Sequence, residues 1–169
     1  LTNTILHKAY LLLYEKDFLG SETATIKALD ISKEIQNEVL IYECYVNLGS
    51  SLLGLDNFDR ALYYHSKALI EIEKFKKNTV SYDISRAHTF NNLGLVYQKN
   101  KEYEKAIENF SKGLAVKNLL RIHPTVYSAL MDNLAYSKFK LNKNEGYEEL
   151  TRSLFIRDSI GNVAGIIRS

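Results

Sequence analysis

The chain has 169 residues, 46% of them hydrophobic and 25% charged, with 22 Lys+Arg against 20 Asp+Glu. That is the length of one domain or one run of repeats, with enough apolar residues for a core. A net charge of +2, with no basic stripe of the kind phosphate contacts require, sets nucleic acid aside as a direct partner. One Pro and 8 Gly argue against collagen, disorder and a turn-rich β-sandwich, and the single cysteine, Cys44, cannot close an internal disulfide. The cytoplasm is favoured, with the periplasm left open. The longest apolar run, Ala9 to Tyr14, is far shorter than the roughly 20 residues of a membrane span. No signal peptide is read at the N-terminus, and a chain opening on Leu1 reads as a fragment or a processed product.

In chain order, the apolar pattern predicts four helix–turn–helix units at 1–36, 37–80, 81–121 and 122–160, with a stub at 161–169. All regular structure is expected to be helical, in about eight helices plus the stub, forming a single domain over 1–169. The first unit turns at Lys16-Asp17. In the second, Tyr45, Leu48, Gly49 and Leu52 make one helical stripe and Phe58, Ala61, Leu62, His65, Ala68 and Leu69 another, with the turn at Asp56-Asn57. The largest excess of connecting residues is placed at Lys76 to Ser81. The third unit repeats the two stripes with Phe90, Leu93, Gly94 and Tyr97, then Tyr103, Ala106, Ile107, Phe110 and Leu114, around a turn at Asn100-Lys101. Pro124 suits the first turn of the next helix, where its missing N–H does no harm, and the fourth unit's turn is placed at Asn142-Lys143. Arg157 to Asn162 reads as a repeat junction, and Val163 to Ser169 as the start of a fifth unit's first helix. More repeats are therefore expected to follow, and the uncapped end is a candidate surface for self-association.

Aligned columns carry the repeat. Small residues stand at Ala9, Gly49, Gly94 and Ala135, spaced by 40, 45 and 41 residues. Four residues earlier come Ile5, Tyr45, Phe90 and Met131, and nine later Phe18, Phe58 and Tyr103, with Asn144 in the fourth copy. Twelve later come Ser21, Ala61, Ala106 and Tyr147, and nineteen later Ala28, Ala68, Gly113 and Leu154. Gly in a helix interior costs about 1 kcal/mol relative to Ala, so Gly49 and Gly94 imply a close helix approach that offsets it.

These columns resemble the tetratricopeptide repeat. Leu93-Gly94, Tyr97, Ala106, Phe110 and Gly113 carry the resemblance in the third unit, Leu48-Gly49, Ala61 and Ala68 in the second. Asn57 to Ala61 and Glu102 to Ala106 are similar to that repeat's turn. The period is longer than usual, there is no Trp, and the Pro that ends the second helix is missing; long periods of this kind are similar to kinesin light chains and bacterial peptide-sensing regulators. The resemblance implies an all-α fold, a right-handed α-α superhelix of about four repeats plus the start of a fifth. It also implies a non-enzymatic module that binds a protein or peptide on the concave face lined by the first helices. Two other roles stay open: the sensory domain of a transcriptional or two-component regulator whose output lies outside this chain, and a structural scaffold.

The residues themselves offer no catalytic constellation. No two of His7, His65, His88 and His123 are spaced as a helical metal pair. His65 reads as a core residue, Cys44 as a structural thiol, and no phosphate-binding glycine loop occurs, so neither cofactor nor metal is expected. The recurring polar set is Asn47, Asn92 and Asn133, with His7 in the matching place of the first unit. On the face that the resemblance makes concave, Asn91, Leu95, Gln98 and Lys99 join Asn92, while Asp132, Tyr136, Phe139 and Lys140 join Asn133. Tyr10 and Tyr14 could add apolar pockets. An amide carries both donor and acceptor, so the asparagines either read a peptide backbone or bond neighbouring helices and hold the stack in register. The family's basic clamp for an acidic C-terminus is not expected, because Leu6 and Tyr10 stand where it needs Lys or Arg.

Overall fold

The computed structural model describes residues 2–75 and 79–161. They fall into two compact units, Leu1–Lys77 and Asn78–Ser169. Unit 1 holds α1 (Thr2–Tyr14), α2 (Phe18–Glu34), α3 (Glu38–Gly54) and α4 (Phe58–Ile72). Unit 2 holds α5 (Val80–Lys99), α6 (Tyr103–Leu114), α7 (Leu119–Ile122), α8 (Pro124–Leu141) and α9 (Tyr147–Ser159). There is no strand among the described residues, and the fold class is the all-α helical-repeat class expected.

One turn design is used four times. Each helix end passes through a left-handed residue, Lys16, Gln36, Asp56 or Lys101, with φ of 65°, 52°, 56° and 63°. The next N–H reaches back five residues, from Asp17 to Leu12 O, Asn37 to Ser32 O, Asn57 to Leu52 O and Glu102 to Tyr97 O. This is the Schellman closure, which satisfies carbonyls left open by the ending helix. In three of the four, the same residue then caps the following helix. Asp17, Asn37 and Asn57 accept from the N–H groups of Gly20, Leu40 and Arg60, which is why short polar residues sit there.

Three expectations need correction. The described residues contain nine helices, not eight, because the one-turn α7 stands between α6 and α8, opened by Asn118 in the left-handed region (φ 58°). The fourth unit's turn is longer than Asn142-Lys143: α9 begins only at Tyr147, after Gly146 at φ 91°. Tyr147 is consequently 62% exposed and does not take the interior place that Ser21, Ala61 and Ala106 hold. Thr79 caps α5 and Val80 is already helical, so Ser81 belongs to a helix rather than to the excess connection. Lys76 to Asn78, and the expected fifth-unit start at Val163 to Ser169, lie outside the described residues.

Each unit has its own interior. In unit 1, Leu6, Ala28, Leu29, Cys44 and Leu48 form the core, with Tyr10 and Tyr45 packed against it. In unit 2, Phe110, Leu119, Leu130 and Leu134 centre a second core with Ala87 and Ala106. The helix glycines are where helices meet most closely: a Cβ on Gly94 would strike the Phe110 ring, and one on Gly49 the His65 ring. His65 is fully buried, as its place on the packed stripe implied.

Candidate peptide-binding face

The recurring asparagines have different fates. Asn47, on α3, is fully buried. Its Nδ2 donates to Ser21 Oγ at 3.1 Å and Thr25 Oγ1 at 2.6 Å, both on α2. The Ser51 hydroxyl lies 2.9 Å from both Ser21 Oγ and Asn47 O, and Ser21 itself donates to Ala9 O on α1. Asn47 is therefore a tie between helices and is corrected as a groove residue: its donors are consumed inside unit 1. His7, in the matching place of the first repeat, is exposed.

In unit 2 the corresponding residues remain at the surface. Asn133 on α8 donates through Nδ2 to Asn91 Oδ1 on α5 at 2.9 Å. Gln98 Nε2 lies 3.0 Å from Asn133 O and 2.9 Å from Ser137 Oγ. Asn91, Asn92, Asn133 and Gln98 are all half-buried. The Asn91–Asn133 bond uses one Asn133 donor and the Asn91 oxygen, and leaves both N–H donors of Asn91 and the acceptor oxygen of Asn133 outside it. Leu95 packs partly into the core beneath, while Lys99 is exposed. The structure thus brings Asn91, Asn133 and Gln98 into one hydrogen-bonded set across α5 and α8.

Further along α8 the surface changes character. Tyr136 is 48% exposed, and the Lys140 ammonium lies 5.2 Å from the centre of its ring. Phe139 meets Tyr147 edge-on at 6.5 Å. With Asp132, Ala135, Gly146 and Leu150 these rings line a cavity of about 300 Å³ between α8 and α9. Asp132 forms an ion pair with Arg157 through Oδ2, while its Oδ1 is buried and without a hydrogen-bond partner. Tyr147 and Leu150 were not foreseen as part of this cleft; the displaced start of α9 puts them there. Tyr10 is half-buried and Tyr14 stands almost wholly in solvent.

Two buried groups elsewhere serve the interior. Burial pushes the Cys44 thiol up to about 11, so it is a poor nucleophile at neutral pH. Burial alone pulls His65 down to about 4, which keeps its imidazole neutral. Among the described residues no three His, Cys, Asp or Glu side chains gather as a metal site, and no helix is long and apolar enough to cross a membrane.

Comparison with known proteins agrees with this geometry. The tetratricopeptide repeat pattern matches residues 87–117, the span that contains Gly94, Ala106, Phe110 and Gly113. The outer dynein arm-docking complex subunit 4 of Danio rerio is 37% identical over 79 residues, which are 47% of this chain and 15% of that protein. The apo form of RapI superposes on 94% of this chain and 43% of its own at a TM-score of 0.78 with 21% identity. BtubC (BKLC) from P. vanneervenii superposes on 95% of this chain and 65% of its own at 0.81, again with 21% identity. The chain thus spans a minor part of the curated relative and of RapI. Repeats of this family are typically non-catalytic and serve as protein–protein interaction modules. Residues 87–117 thus match the tetratricopeptide repeat, and the unit before them repeats its helix pair and its glycine-to-ring contact in the same helical-repeat fold.

Proposed function

We propose that the chain binds an extended peptide segment of a partner protein on the faces its first-type helices present within each unit, with the α5–α8 face of unit 2 as the principal contact. The observation that carries this reading is the amide pair Asn91–Asn133. Its inner bond fixes the two side chains, and an Asn91 N–H and the Asn133 oxygen then meet the C=O and N–H of one peptide unit. Asn92, half-buried beside them, and Gln98, held by Asn133 O and Ser137, extend the polar edge. Tyr136 and Lys140 flank it with an aromatic surface and a cation. Neutral backbone contacts of this type give a weak salt dependence, unlike phosphate binding. A second reading, a scaffold within a larger assembly, draws on the name of the Danio rerio docking-complex subunit.

The test begins with recovery of the partner from lysate of the source cell and its identification by mass spectrometry. Titration calorimetry then compares the parent chain with Asn92→Ala plus Asn133→Ala. At about 0.5–1.5 kcal/mol per lost neutral hydrogen bond, binding is expected to weaken by roughly one to two orders of magnitude with helicity retained. Unchanged affinity in a folded double variant places the ligand on another surface and favours the scaffold reading.

A further inference from the structure

Unit 1 contains a half-buried carboxylate that lacks the partner its counterparts have. On α2, α4, α8 and α9 the carboxylates taken this far from water are paired: Glu22 with Arg60, Glu71 with Lys74, Asp132 with Arg157 and Glu149 with Lys138. Glu43 on α3 has no such ion pair and no side-chain hydrogen bond among the described residues. It lines a cavity of about 410 Å³ formed where α1 passes the start of α3. Asn3 and His7 contribute from α1, and Asn37 from the cap of α3. Leu6, Val39 and Leu40 make its apolar lining.

Two perturbations report the same placement. Burial raises the Glu43 carboxyl above its ordinary range, and the only opposing influence is His7. The Tyr10 phenol is raised first by its own burial and next by the charge of Glu43. A carboxylate held partly out of water, with no ion pair and only the His7 imidazole acting on it from α1, favours a cation that arrives from outside. The apolar lining suits the methylene stem of a long basic side chain, which keeps only its head polar.

We propose that this cavity is a subsite for an Arg or Lys side chain of a peptide segment bound on the α1–α3 face of unit 1, with Glu43 as its counter-ion and the Leu6–Val39–Leu40 lining against its stem. This rests on the peptide-binding reading above and adds a sequence preference to it. Asn3 and Glu43 lie 40 residues apart, in the same column of consecutive repeats, so both belong to the face of the first-type helices.

The test uses the whole chain and a soluble library of random heptapeptides, selected against the parent and against Glu43→Gln, an uncharged isostere. Circular dichroism and the thermal midpoint of the variant confirm its fold. The parent is expected to enrich peptides carrying Arg or Lys, and citrulline in place of Arg is expected to weaken a selected peptide by about tenfold, one charge-assisted hydrogen bond's worth. Glu43→Gln should erase that discrimination while still binding. Amide shifts at residues 3–10 and 37–43 should accompany binding of the Arg peptide. Selected peptides that perturb α5 and α8 without preference for a basic residue overturn the subsite and leave the groove standing. Peptides that bind nowhere on α1, α3, α5 or α8 overturn both.

Discussion

Asn47 on α3 of unit 1 and Asn133 on α8 of unit 2 occupy the same place in their repeats, two residues before their helix's small residue, yet one is interior and the other is at the surface. The difference lies in the preceding second helix. Asn47 faces Ser21 and Thr25 on α2, whose hydroxyls take both of its amide protons. The corresponding positions on α6 are Ala106 and Phe110, which offer no acceptor, and Asn133 turns to Asn91 on α5 instead. These two copies share a serine two residues beyond the small residue: Ser51 and Ser137 each lie 2.9 Å from the carbonyl of their asparagine. A repeat position therefore acquires its role from the column opposite, and the same amide is a structural tie in one unit and a presented group in the other. A second column makes the same point with a ring: His65 against Gly49 and Phe110 against Gly94.

The largest expected effect tests that second column. Gly94→Leu should lose about 3 kcal/mol of stability in a urea melt, because the Phe110 ring is fully buried and has nowhere to yield. Helix propensity alone argues the other way, since Leu outranks Gly by close to 1 kcal/mol. A variant as stable as the parent would show that the Gly94–Phe110 contact can open freely, and the glycine column would lose its explanation.

Next in size is the asparagine comparison itself. Asn47→Ala leaves Ser21 and Thr25 buried with fewer partners and should cost about 2 kcal/mol. Asn133→Ala, half-exposed and with water at hand to replace it, should cost under about 1 kcal/mol. Chemical denaturation of the two variants side by side decides it. Equal losses would mean that both asparagines hold their units together and that the α5–α8 face has no amide to spare for a ligand.

Much of this was legible in the sequence, and the failures have physical causes. The turns at Lys16-Asp17, Asp56-Asn57 and Asn100-Lys101 were visible because the closure demands a left-handed residue and, in most copies, a capping side chain. The small columns were visible because close helix contact excludes side chains at a fixed period. The one-turn α7 was missed because Leu119 to Ile122 is too short to show a period. The late start of α9 was missed because one left-handed glycine, Gly146, displaces a helix without altering the apolar count. Asn47 was misplaced because periodicity tells which way a residue points on its own helix, and the hydroxyls that capture it sit on another, 26 and 22 residues away. Glu43 is not legible as a site residue because it is a single carboxylate on a helix face, and only the passage of α1 beside α3 shapes the cavity it lines.

A gain rather than a loss at neutral pH is expected at His65. Neither ring nitrogen of this fully buried imidazole has a hydrogen-bond partner, a state that costs stability. Phe110 shows that a phenyl ring fits the equivalent place against a glycine, so His65→Phe should gain about 1 kcal/mol at pH 7. The gap should widen on acidification. The folded His65 is depressed to about 4 from its ordinary 6.5, so below pH 6.5 the unfolded chain takes up a proton that the folded chain refuses. The parent then loses stability as pH falls from 6.5 toward 4, by about 1.4 kcal/mol per unit at steepest, and the loss levels off below 4. The phenylalanine variant lacks that component, while carboxylates such as Glu102 and Glu149, held low by their lysines, titrate alike in both proteins. Paired urea melts at pH 7.5 and 5.0 isolate the difference. A gap that stays constant between the two would show that water or a local opening reaches the His65 ring, and that its burial beside Gly49 is not the match to Phe110 beside Gly94 described above.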